Sequence, residues 1–493
     1  MNDLRINTEI EKLKKVAKGY LVRQKYNKAI AALTAASDLA YNYNQVYVDI
    51  DMENLVGELA TELLNNKLIK VTKQKKDNLA DFLPAKTVLF YDGIGFDARG
   101  IVTNHLKGLG EAGIKVVYVT LEHRPQEQVI VDGILKEYNI EKRYFDNSNY
   151  LKAVQDLNAI FEDVKPDMAF FYTLPYDVAG SVLFRAYEGR MVRVLSDLTD
   201  HAFWLGRDSI DYVWSLRDIG ACIAAYERNI PVDRILCSYL SAEVNESISF
   251  KGWPCDTTNK KVIFSGGSLY KTLGDENLYY YQIVSHILSS HDDTVFVYCG
   301  AGDSSEIDKL KKEYPDRIYL LPERDDFYQM IENCTLYLNT YPMFGGMMTR
   351  YAILAGKVPV TLKHECDSDG LVPNQDELQI EYEDINTLLQ DVDRMLVEES
   401  YLSEREKLLE KGKYTTEDFN KVTKDIIERL ETDYSFKIEK PDTEKFRSEY
   451  INRFIMREQL SNVICLDGRR RFLAWRYPGT FIYYLYKKIS ARK

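Results

Sequence analysis

The sequence predicts an α/β protein with two parallel-sheet domains that face a cleft, a helical extension before them and helices after them. Short runs of β-branched and aromatic residues alternate with helical patterns from residue 87 onward. The alternation occurs twice, on either side of the polar, aperiodic stretch 241–260, whereas residues 1–80 and 383–462 have helical patterns alone. Strand–helix alternation implies parallel sheets with right-handed crossovers, because parallel strands need a long return connection.

The strand patterns define the predicted domains. In the first domain the predicted strands are 87–93, 115–120, 168–173, 191–196 and 233–238. In the second domain they are 261–267, 294–300, 317–322, 335–340 and 357–362. The resulting boundaries are a helical extension over 1–80, a first domain over 81–245, a second domain over 258–430, and C-terminal crossover helices with a basic aromatic tail over 431–493. The basic stretch 70–78 is interpreted as a linker.

Composition limits the possible functions. The chain has 493 residues, of which 45% are hydrophobic and 28% charged, so two or three domains with full cores are expected. Its formal net charge of −12 argues against general nucleic-acid binding, which needs a basic surface to replace counterions. A nucleotide diphosphate is still possible, because helix N-termini and one or two cations can hold it locally.

Cysteine usage and hydropathy predict the compartment. The seven cysteines contain no CxxC pair, which indicates free thiols in a reducing compartment and no structural zinc site. The first 21 residues lack the apolar core of a secretory signal. No apolar run approaches the ~18 residues that span a bilayer. We therefore expect a cytoplasmic protein, or one that is peripheral on the inner face of the cell membrane.

Two loops of the second domain have the features of a phosphate site. In VIFSGGSLYKTLG (262–274), a strand leads into Ser265, Gly266 and Gly267, whose backbone can approach a ligand closely, and Lys271 can meet a diphosphate as a point charge. An ordinary strand–turn–helix connection with a surface lysine is the alternative.

The second loop lies in LNTYPMFGGMMTRYAILAGKVPVTL (338–362), where Gly345-Gly346 precedes a helix that starts near Met347. Its first N–H groups, the helix dipole and the Thr349 hydroxyl can bind phosphate oxygens. The alternative is that the glycines serve helix–strand packing and that Met347 and Met348 are packing residues.

These segments carry a family resemblance. Two tandem Rossmann-like domains joined by a linker form the outline of GT-B enzymes, and both loops resemble donor-binding segments of the O-GlcNAc transferases. The resemblance implies that Lys271 contacts the diphosphate and aids departure of the nucleotide. The donor-binding residues predicted from the two segments are Ser265, Gly266, Gly267, Tyr270, Lys271, Tyr341, Gly345, Gly346, Met347, Met348 and Thr349.

The chain also departs from that family. The histidine-threonine-threonine run of the family is Gly346-Met347-Met348 here, and its ribose-binding aspartate falls near Arg350 or Tyr351. Glu365 and Asp367 are then candidates for the ribose contact.

Two further loops lie in the first domain. DLTDHAFWLG (197–206) resembles a stretch of bacterial relatives, including cytoplasmic protein N-glycosyltransferases, in which a histidine faces the cleft. His201 is a candidate general base with Asp200 as its carboxylate neighbour, or it orients the acceptor, and both residues are candidate acceptor-binding residues. A core or hydrogen-bonded histidine is the alternative. In the glycine-rich segment 91–113, Asp97 and Arg99 are candidate acceptor-binding residues, and helix capping is the alternative for Asp97.

Metal ions are not expected. Asp49-Ile50-Asp51 and Asp367-Ser368-Asp369 match a metal-binding DxD pattern, but so short a pattern is too common to count. We expect neither a metal nor another cofactor.

The tail GRRRFLAWRYPGTFIYYLYKKISARK (468–493) is basic and aromatic on an acidic protein. It suits the headgroup region of an anionic bilayer, or it packs back on the first domain as a crossover helix.

The sequence therefore predicts a glycosyltransferase that uses a UDP-sugar, with a surface polysaccharide, a lipid-linked saccharide or another glycan as acceptor. Resemblance favours inversion by direct displacement. The alternatives are a protein acceptor docked by the helical N-terminus, or a non-catalytic GT-B-like partner subunit.

Overall fold

The computed structural model describes residues 2–95, 100–122, 128–245, 247–363, 370–444, 447 and 456–490. The chain forms two compact units. Unit 1 comprises Met1–Ser238 and Asn420–Lys493, and unit 2 comprises Tyr239–Phe419. Each unit contains one parallel sheet, so the predicted α/β class is confirmed.

Unit 1 begins with three helices, α1 (Asn2–Val22), α2 (Tyr26–Tyr43) and α3 (Ile50–Asn65). Apolar residues at helical spacing bury one face of α1, at Ile6, Ile10 and Leu13. The α2 helix is buried along almost its whole length because alanines dominate it and allow close packing against its neighbours. Asp49 caps α3 by accepting a hydrogen bond from the Met52 N–H at 3.0 Å.

The sheet of unit 1 has seven parallel strands in the order β3-β2-β1-β4-β5-β6-β7. The strands are β1 (Thr87–Asp92), β2 (Lys115–Leu121), β3 (Glu141–Phe145), β4 (Met168–Tyr172), β5 (Val192–Ser196), β6 (Tyr212–Ser215) and β7 (Ile235–Cys237). The connecting helices are α4 (Ile101–Glu111), α5 (Val129–Glu137), α6 (Tyr150–Val164), α7 (Val178–Ala186) and α8 (Asp218–Tyr226). Phe90 lies opposite Tyr118 and Phe170 in the register, which places an aromatic layer at the sheet centre.

The sheet of unit 2 has six parallel strands in the order β10-β9-β8-β11-β12-β13. The strands are β8 (Lys261–Gly266), β9 (Thr294–Cys299), β10 (Ile318–Leu321), β11 (Leu336–Leu338), β12 (Pro359–Leu362) and β13 (Glu381–Tyr382). The helices are α9 (Tyr279–Ser290), α10 (Ser305–Glu313), α11 (Phe327–Glu332), α12 (Gly346–Leu354), α13 (Gln375–Leu378), α14 (Ile385–Val397) and α15 (Glu399–Leu408). Both sheets thus have the doubly wound strand order 3-2-1-4-5-6, extended by one strand in unit 1.

The C-terminal part returns to unit 1. It contains α16 (Thr416–Arg429), whose start belongs to unit 2, and the helices Met456–Cys465 and Pro478–Ser490. The prediction of helix throughout 383–462 is wrong for residues 431–443, which have no regular structure. This segment runs along unit 1 instead, where the Glu439 N–H donates to Cys222 Sγ at 3.4 Å and the Thr443 hydroxyl donates to Glu227 at 3.1 Å. Pro441 also disfavours helix because it lacks an N–H.

Three short strands were not predicted. Glu141–Phe145 and Glu381–Tyr382 are edge strands of their sheets. An edge strand is less enclosed by neighbouring elements than a central strand, so polar residues are tolerated there and the apolar pattern is weak. Tyr212–Ser215 is only four residues long and lies between two loops. The described cysteines form no disulfide, namely Cys222, Cys237, Cys255, Cys299, Cys334 and Cys465. Among the described helices, none combines the length and apolar character needed to cross a bilayer.

Candidate functional site

The two glycine-containing loops of unit 2 meet at the point where the strand order reverses. Strands β8 and β11 are neighbours, with Ile263 opposite Leu336 and Phe264 opposite Tyr337. Their crossovers leave in opposite directions, which opens a crevice at their carboxyl ends. The loop after β8 contains Lys271, and the loop after β11 leads into α12 at Gly346. Strand order therefore brings together two segments that are about 75 residues apart.

The first loop is shaped by glycines. Gly267 has a φ of +128°, and its carbonyl accepts a hydrogen bond from the Tyr298 hydroxyl at 3.1 Å. A Cβ at Gly300 would lie 1.9 Å from the Gly267 oxygen, so the end of β9 also requires glycine. The sequence alone does not predict that glycine is required at position 300, because the requirement comes from the close approach of the loop after the neighbouring strand β8.

The two loops are bonded to each other. The Met343 N–H donates to the Lys271 carbonyl at 3.1 Å, which fixes the backbone of the Lys271 turn against the second loop. Asn339, which is 1% exposed, organises that second loop. Its Oδ1 accepts from the N–H groups of Thr340 at 2.8 Å and Gly345 at 3.1 Å, and its Nδ2 donates to the Thr349 hydroxyl at 2.7 Å. A buried amide thus holds the approach to α12 in one conformation.

The start of α12 is open to a ligand. No side chain caps this helix, and the first backbone bond within it runs from the Thr349 N–H to the Gly345 carbonyl at 3.0 Å. The N–H groups of Gly346, Met347 and Met348 therefore have no carbonyl acceptor in a preceding turn of the helix. Their alignment with the helix dipole favours a bound anion.

Other predicted donor residues have structural roles here. Ser265 is fully buried and its Oγ accepts from the Tyr280 hydroxyl at 2.7 Å. Thr349 is also fully buried, with its hydroxyl bonded to Asn339 and Gly345, so in this structure it holds the loop. A Cβ at Gly266 would lie 3.4 Å from Met348 Cε, which shows that this methionine packs between the two loops.

The remaining predicted donor residues lie on the rim of the loops. Tyr270 is 58% exposed, and Lys271 is half-buried on the 3₁₀ turn Leu269–Thr272. Tyr341 and Met347 are half-buried in the second loop and the first turn of α12. These residues lie in the two loops that follow β8 and β11, and their contact with a donor stays a prediction.

Arg350, which stands near the position of the family's ribose-binding aspartate, is a cation close to the start of α12. It lies in α12 and is 8% exposed. Its Nη1 is 3.7 Å from Met347 Sδ, and a Cβ at Gly346 would lie 3.6 Å from the same nitrogen. A guanidinium beside the open helix start adds positive charge where the backbone already favours an anion.

In unit 1, the equivalent crevice lies between β1 and β4. A Cβ at Gly93 would lie 2.1 Å from the Thr173 hydroxyl, so the two loops approach closely there. A cavity of about 290 Å³ opens at this edge, between the strand ends at Gly93, Leu121, Phe145 and Thr173. The predicted acceptor residues Asp97 and Arg99 lie outside the described residues, as do the ribose candidates Glu365 and Asp367.

The loop after β5 contains His201 and Asp200. His201 Nδ1 is 3.1 Å from Asp200 Oδ1, and 28% of the histidine side chain is exposed. This contact favours the tautomer with its proton on Nδ1, which leaves Nε2 as a proton acceptor. Asp200 also accepts from Arg217, at 2.5 Å from Nε and 2.7 Å from Nη2. Burial raises the pKa of Asp200, but Arg217 and His201 together lower it by more, so the net pKa of this carboxyl lies well below its usual range.

The helical extension supports this loop. Asn44, at the end of α2, accepts from the Phe203 N–H at 2.8 Å and donates to the His201 carbonyl at 3.4 Å. Glu53 of α3 accepts from the Gly206 N–H at 2.8 Å and the Arg207 N–H at 3.2 Å. The extension therefore positions the histidine loop, which no local pattern in residues 1–80 indicated.

The DxD pattern at Asp49 and Asp51 is structural. Both carboxylates contact Lys14 Nζ, at 2.9 and 3.1 Å, and Asp49 caps α3. Within the described ranges, no cluster of three or more His, Cys, Asp or Glu side chains is arranged to hold a metal ion.

Comparison with solved structures identifies the fold. A glycosyltransferase from Rickettsia africae ESF-5 superposes with a TM-score of 0.52 at 9% identity, covering 70% of this chain and 98% of that one. A mutant O-GlcNAc transferase from Thermobaculum terrenum is similar with a TM-score of 0.43 at 15% identity, over 97% of this chain and 84% of that one. The UDP-GlcNAc 2-epimerase of Neisseria meningitidis, bound to UDP-GlcNAc, has a TM-score of 0.47 at 12% identity, over 70% of this chain and 99% of that one.

No protein-family model matches the sequence, and no curated protein matches it significantly. The superposition on the glycosyltransferase and the two doubly wound sheets confirm the GT-B fold that was expected from the sequence.

Proposed function

We propose that this chain is a glycosyltransferase that takes a sugar from a UDP-sugar held by unit 2. The observation that carries the proposal is the crevice between β8 and β11, where the open start of α12 lies beside the Lys271 turn. Oriented N–H groups and two cations, Lys271 and Arg350, suit a nucleotide diphosphate. The fold shared with the glycosyltransferase from Rickettsia africae ESF-5 supports the proposed transferase activity.

The proposed chemistry is displacement at the anomeric carbon. The acceptor hydroxyl oxygen forms a bond to that carbon while the bond from the carbon to the diphosphate oxygen breaks. The diphosphate leaves with the electron pair, and its growing charge is stabilised by the N–H groups of 346–348 and by Lys271. Such preorganised charge at a leaving group is commonly the largest contribution to catalysis. Direct displacement inverts the anomeric configuration.

The acceptor proton is assigned to His201. Its Nε2 is left as the acceptor by the contact between Nδ1 and Asp200. Because Arg217 keeps Asp200 ionised, the carboxylate can stabilise the imidazolium that forms. Asp97 and Arg99 remain proposed acceptor contacts.

The proposed acceptor is a surface polysaccharide, a lipid-linked saccharide or another glycan, and the reaction is placed in the cytoplasm without a metal. A polypeptide acceptor docked by the helical extension is the second candidate. The extension's bonds to the His201 loop favour it, because they place helices beside the proposed acceptor side.

The test begins with the donor. Mass spectrometry identifies any nucleotide-sugar that copurifies with the protein. In a separate experiment, thermal unfolding of the purified protein is measured in the presence of each member of a panel of nucleotide-sugars. A UDP-sugar is expected to raise the melting temperature, since a ligand at 100 times its Kd stabilises by about 2.7 kcal/mol. Absence of stabilisation by every UDP-sugar would contradict the proposal.

Transfer is then measured with glycan and peptide acceptors. Lys271→Ala and His201→Ala should each lower kcat by about 100-fold or more, while Lys309→Ala, an exposed lysine of α10, should not. Unchanged rates in both site variants would overturn the site assignment. Formation of an epimeric sugar without any acceptor would replace transfer with isomerisation.

A further inference from the structure

The last helix of the chain presents an apolar face to solvent. Within Pro478–Ser490, a helix of 13 residues, the structure buries none of them. Ile482, Leu485, Tyr486 and Ile489 are 65%, 42%, 69% and 63% exposed. Their spacing of i, i+3, i+4 and i+7 places all of them on one side of the helix. An apolar stripe of this kind on a surface helix normally faces a partner.

The segment just before this helix anchors it to unit 1. Arg470 is 5% exposed, with Nη1 at 2.5 Å from Asp38 Oδ2 and Nε at 2.8 Å from the Tyr150 hydroxyl. Leu473 is fully buried. The start of the basic tail therefore packs back on unit 1, one of the two alternatives drawn from the sequence, and Arg470 is not available to a lipid.

The exposed remainder of the tail is positively charged. Trp475 is 91% exposed, and Arg471, Arg476 and Lys488 are also exposed. The sequence has no aspartate or glutamate from residue 468 to the end, although the chain as a whole has a formal net charge of −12. Positive charge is thus concentrated beside the apolar face.

A basic groove adjoins the helix. It has a volume of about 580 Å³ and is lined by Lys12, Lys15 and Arg23 of the first helical hairpin together with Arg476 and Tyr477. Glu9 also lines it, but its carboxylate is paired with Lys12 at 2.8 Å. In the part of the chain that the structure describes, Lys15, Arg23 and Arg476 form no ion pair. The groove can therefore receive a phosphate-bearing headgroup.

We propose that this surface, comprising the apolar face of Pro478–Ser490, Trp475 and the adjoining basic groove, docks on an anionic lipid bilayer. The helix would lie in the plane of the interface, about 20 Å long, with its apolar face inserted and the cations at headgroup level. A second copy of the chain is disfavoured, because a specific dimer needs about 800 Å² from each partner and this face offers four apolar side chains. The proposal is independent of the proposed function.

The test is cosedimentation of the full-length protein with vesicles of phosphatidylcholine, with and without phosphatidylglycerol. We expect binding only to the anionic vesicles, and a loss of binding as salt rises, since the Debye length falls from about 10 Å at 0.1 M to about 3 Å at 1 M. Trp475 should shift its emission to shorter wavelength on binding, and Trp475→Phe should abolish the shift.

Matched variants separate the apolar face from general charge effects. Ile482→Asp/Ile489→Asp should weaken vesicle binding by about 100-fold, whereas Val232→Asp/Val397→Asp, at exposed valines elsewhere, should weaken it only slightly. Lys12→Gln/Lys15→Gln/Arg23→Gln should lower both the affinity and its salt dependence. Circular dichroism and the melting temperature confirm that each variant folds.

Three outcomes would overturn the proposal. The first is wild-type protein that remains in the supernatant with anionic vesicles. The second is equal weakening of binding by the two aspartate pairs. The third is a self-associated protein in sedimentation velocity that Ile482→Asp/Ile489→Asp dissociates. The last result would assign the face to a second copy.

Discussion

Asp197 is a buried carboxyl group whose ionisation should make the stability of the protein depend on pH. It follows β5 directly, is 3% exposed, and has no hydrogen-bond partner for either carboxylate oxygen among the described residues. Burial raises the pKa of Asp197 to about 7, although Arg228 and His201 act in the opposite direction. The carboxyl group lies beside the loop that positions His201, so its ionisation changes the charge there.

The sign of the resulting pH dependence is set by the two pKa values. An unfolded aspartate has a pKa of about 3.9, so between about pH 4 and pH 7 the folded protein holds a proton that the unfolded chain has lost. The free energy of unfolding should therefore fall as pH rises through this window and level off above it. Asp197→Asn should remove this fall and be more stable than wild type at pH 8 by about 2 kcal/mol or more.

Urea unfolding at a series of pH values measures the effect. Asp233→Asn, at an exposed aspartate, is the control and should leave the curve unchanged. Parallel curves for wild type and Asp197→Asn would show that Asp197 is already ionised at low pH.

A second prediction concerns the single residue Arg350. Arg350→Met keeps an apolar stem but removes the cation beside the start of α12, and we expect UDP to bind about 10–100-fold more weakly, the usual contribution of a charge-assisted hydrogen bond. Isothermal titration calorimetry measures the Kd. Lys309→Met, at an exposed cation of the same unit, should leave the Kd for UDP unchanged. An equal loss of UDP affinity in both variants would show that Arg350 acts only through the net charge of the unit.

Among the strands and loops, the proposed donor crevice depends on the close approach of the end of β9 to the loop after β8. Gly300→Ala would place a Cβ 1.9 Å from the Gly267 oxygen, so the loop must shift. We expect a loss of about 3 kcal/mol or more in the free energy of unfolding, or a loop displaced from Lys271 with weakened UDP binding.

Gly133→Ala is the control for this change. Gly133 lies in α5, and a Cβ there would meet no atom within 4 Å, so alanine should stabilise by up to about 1 kcal/mol. Thermal and urea unfolding compare the two variants. If Gly300→Ala retained wild-type stability and UDP affinity, the contact between Gly300 and Gly267 would not determine the conformation of the loop after β8.

At the scale of the whole molecule, the two ends of the chain should differ in their importance for stability. The helical extension is buried against unit 1 and bonds the His201 loop through Asn44 and Glu53. Deletion of residues 1–65 should therefore give unfolded or aggregated protein. Deletion of residues 478–493 should change the melting temperature by less than about 2 °C, because no residue of Pro478–Ser490 is buried. A stable protein without the extension would contradict its bracing role.

Local sequence patterns determined the parts of the fold that depend on neighbouring residues. Apolar strands bounded by glycine, as at Lys261–Gly266, and a glycine pair before a helix, as at Gly345-Gly346, can be recognised within short windows. The two glycine-containing loops of unit 2 and the α/β class followed from them. Edge strands such as Glu141–Phe145 could not be found this way, because an edge needs little apolar cover.

Long-range packing shows which hydroxyl groups of the predicted loops are bonded within the protein. Ser265 and Thr349 belong to the predicted loops, but neighbouring strands and Asn339 bury their hydroxyl groups. The contacts of Arg470 with Asp38 and Tyr150 join residues that are hundreds of positions apart in the sequence. The sequence determined where loops begin and end because those choices depend on local backbone preference. Burial, pairing and exposure depend on strand order and long-range packing, which a local pattern does not specify.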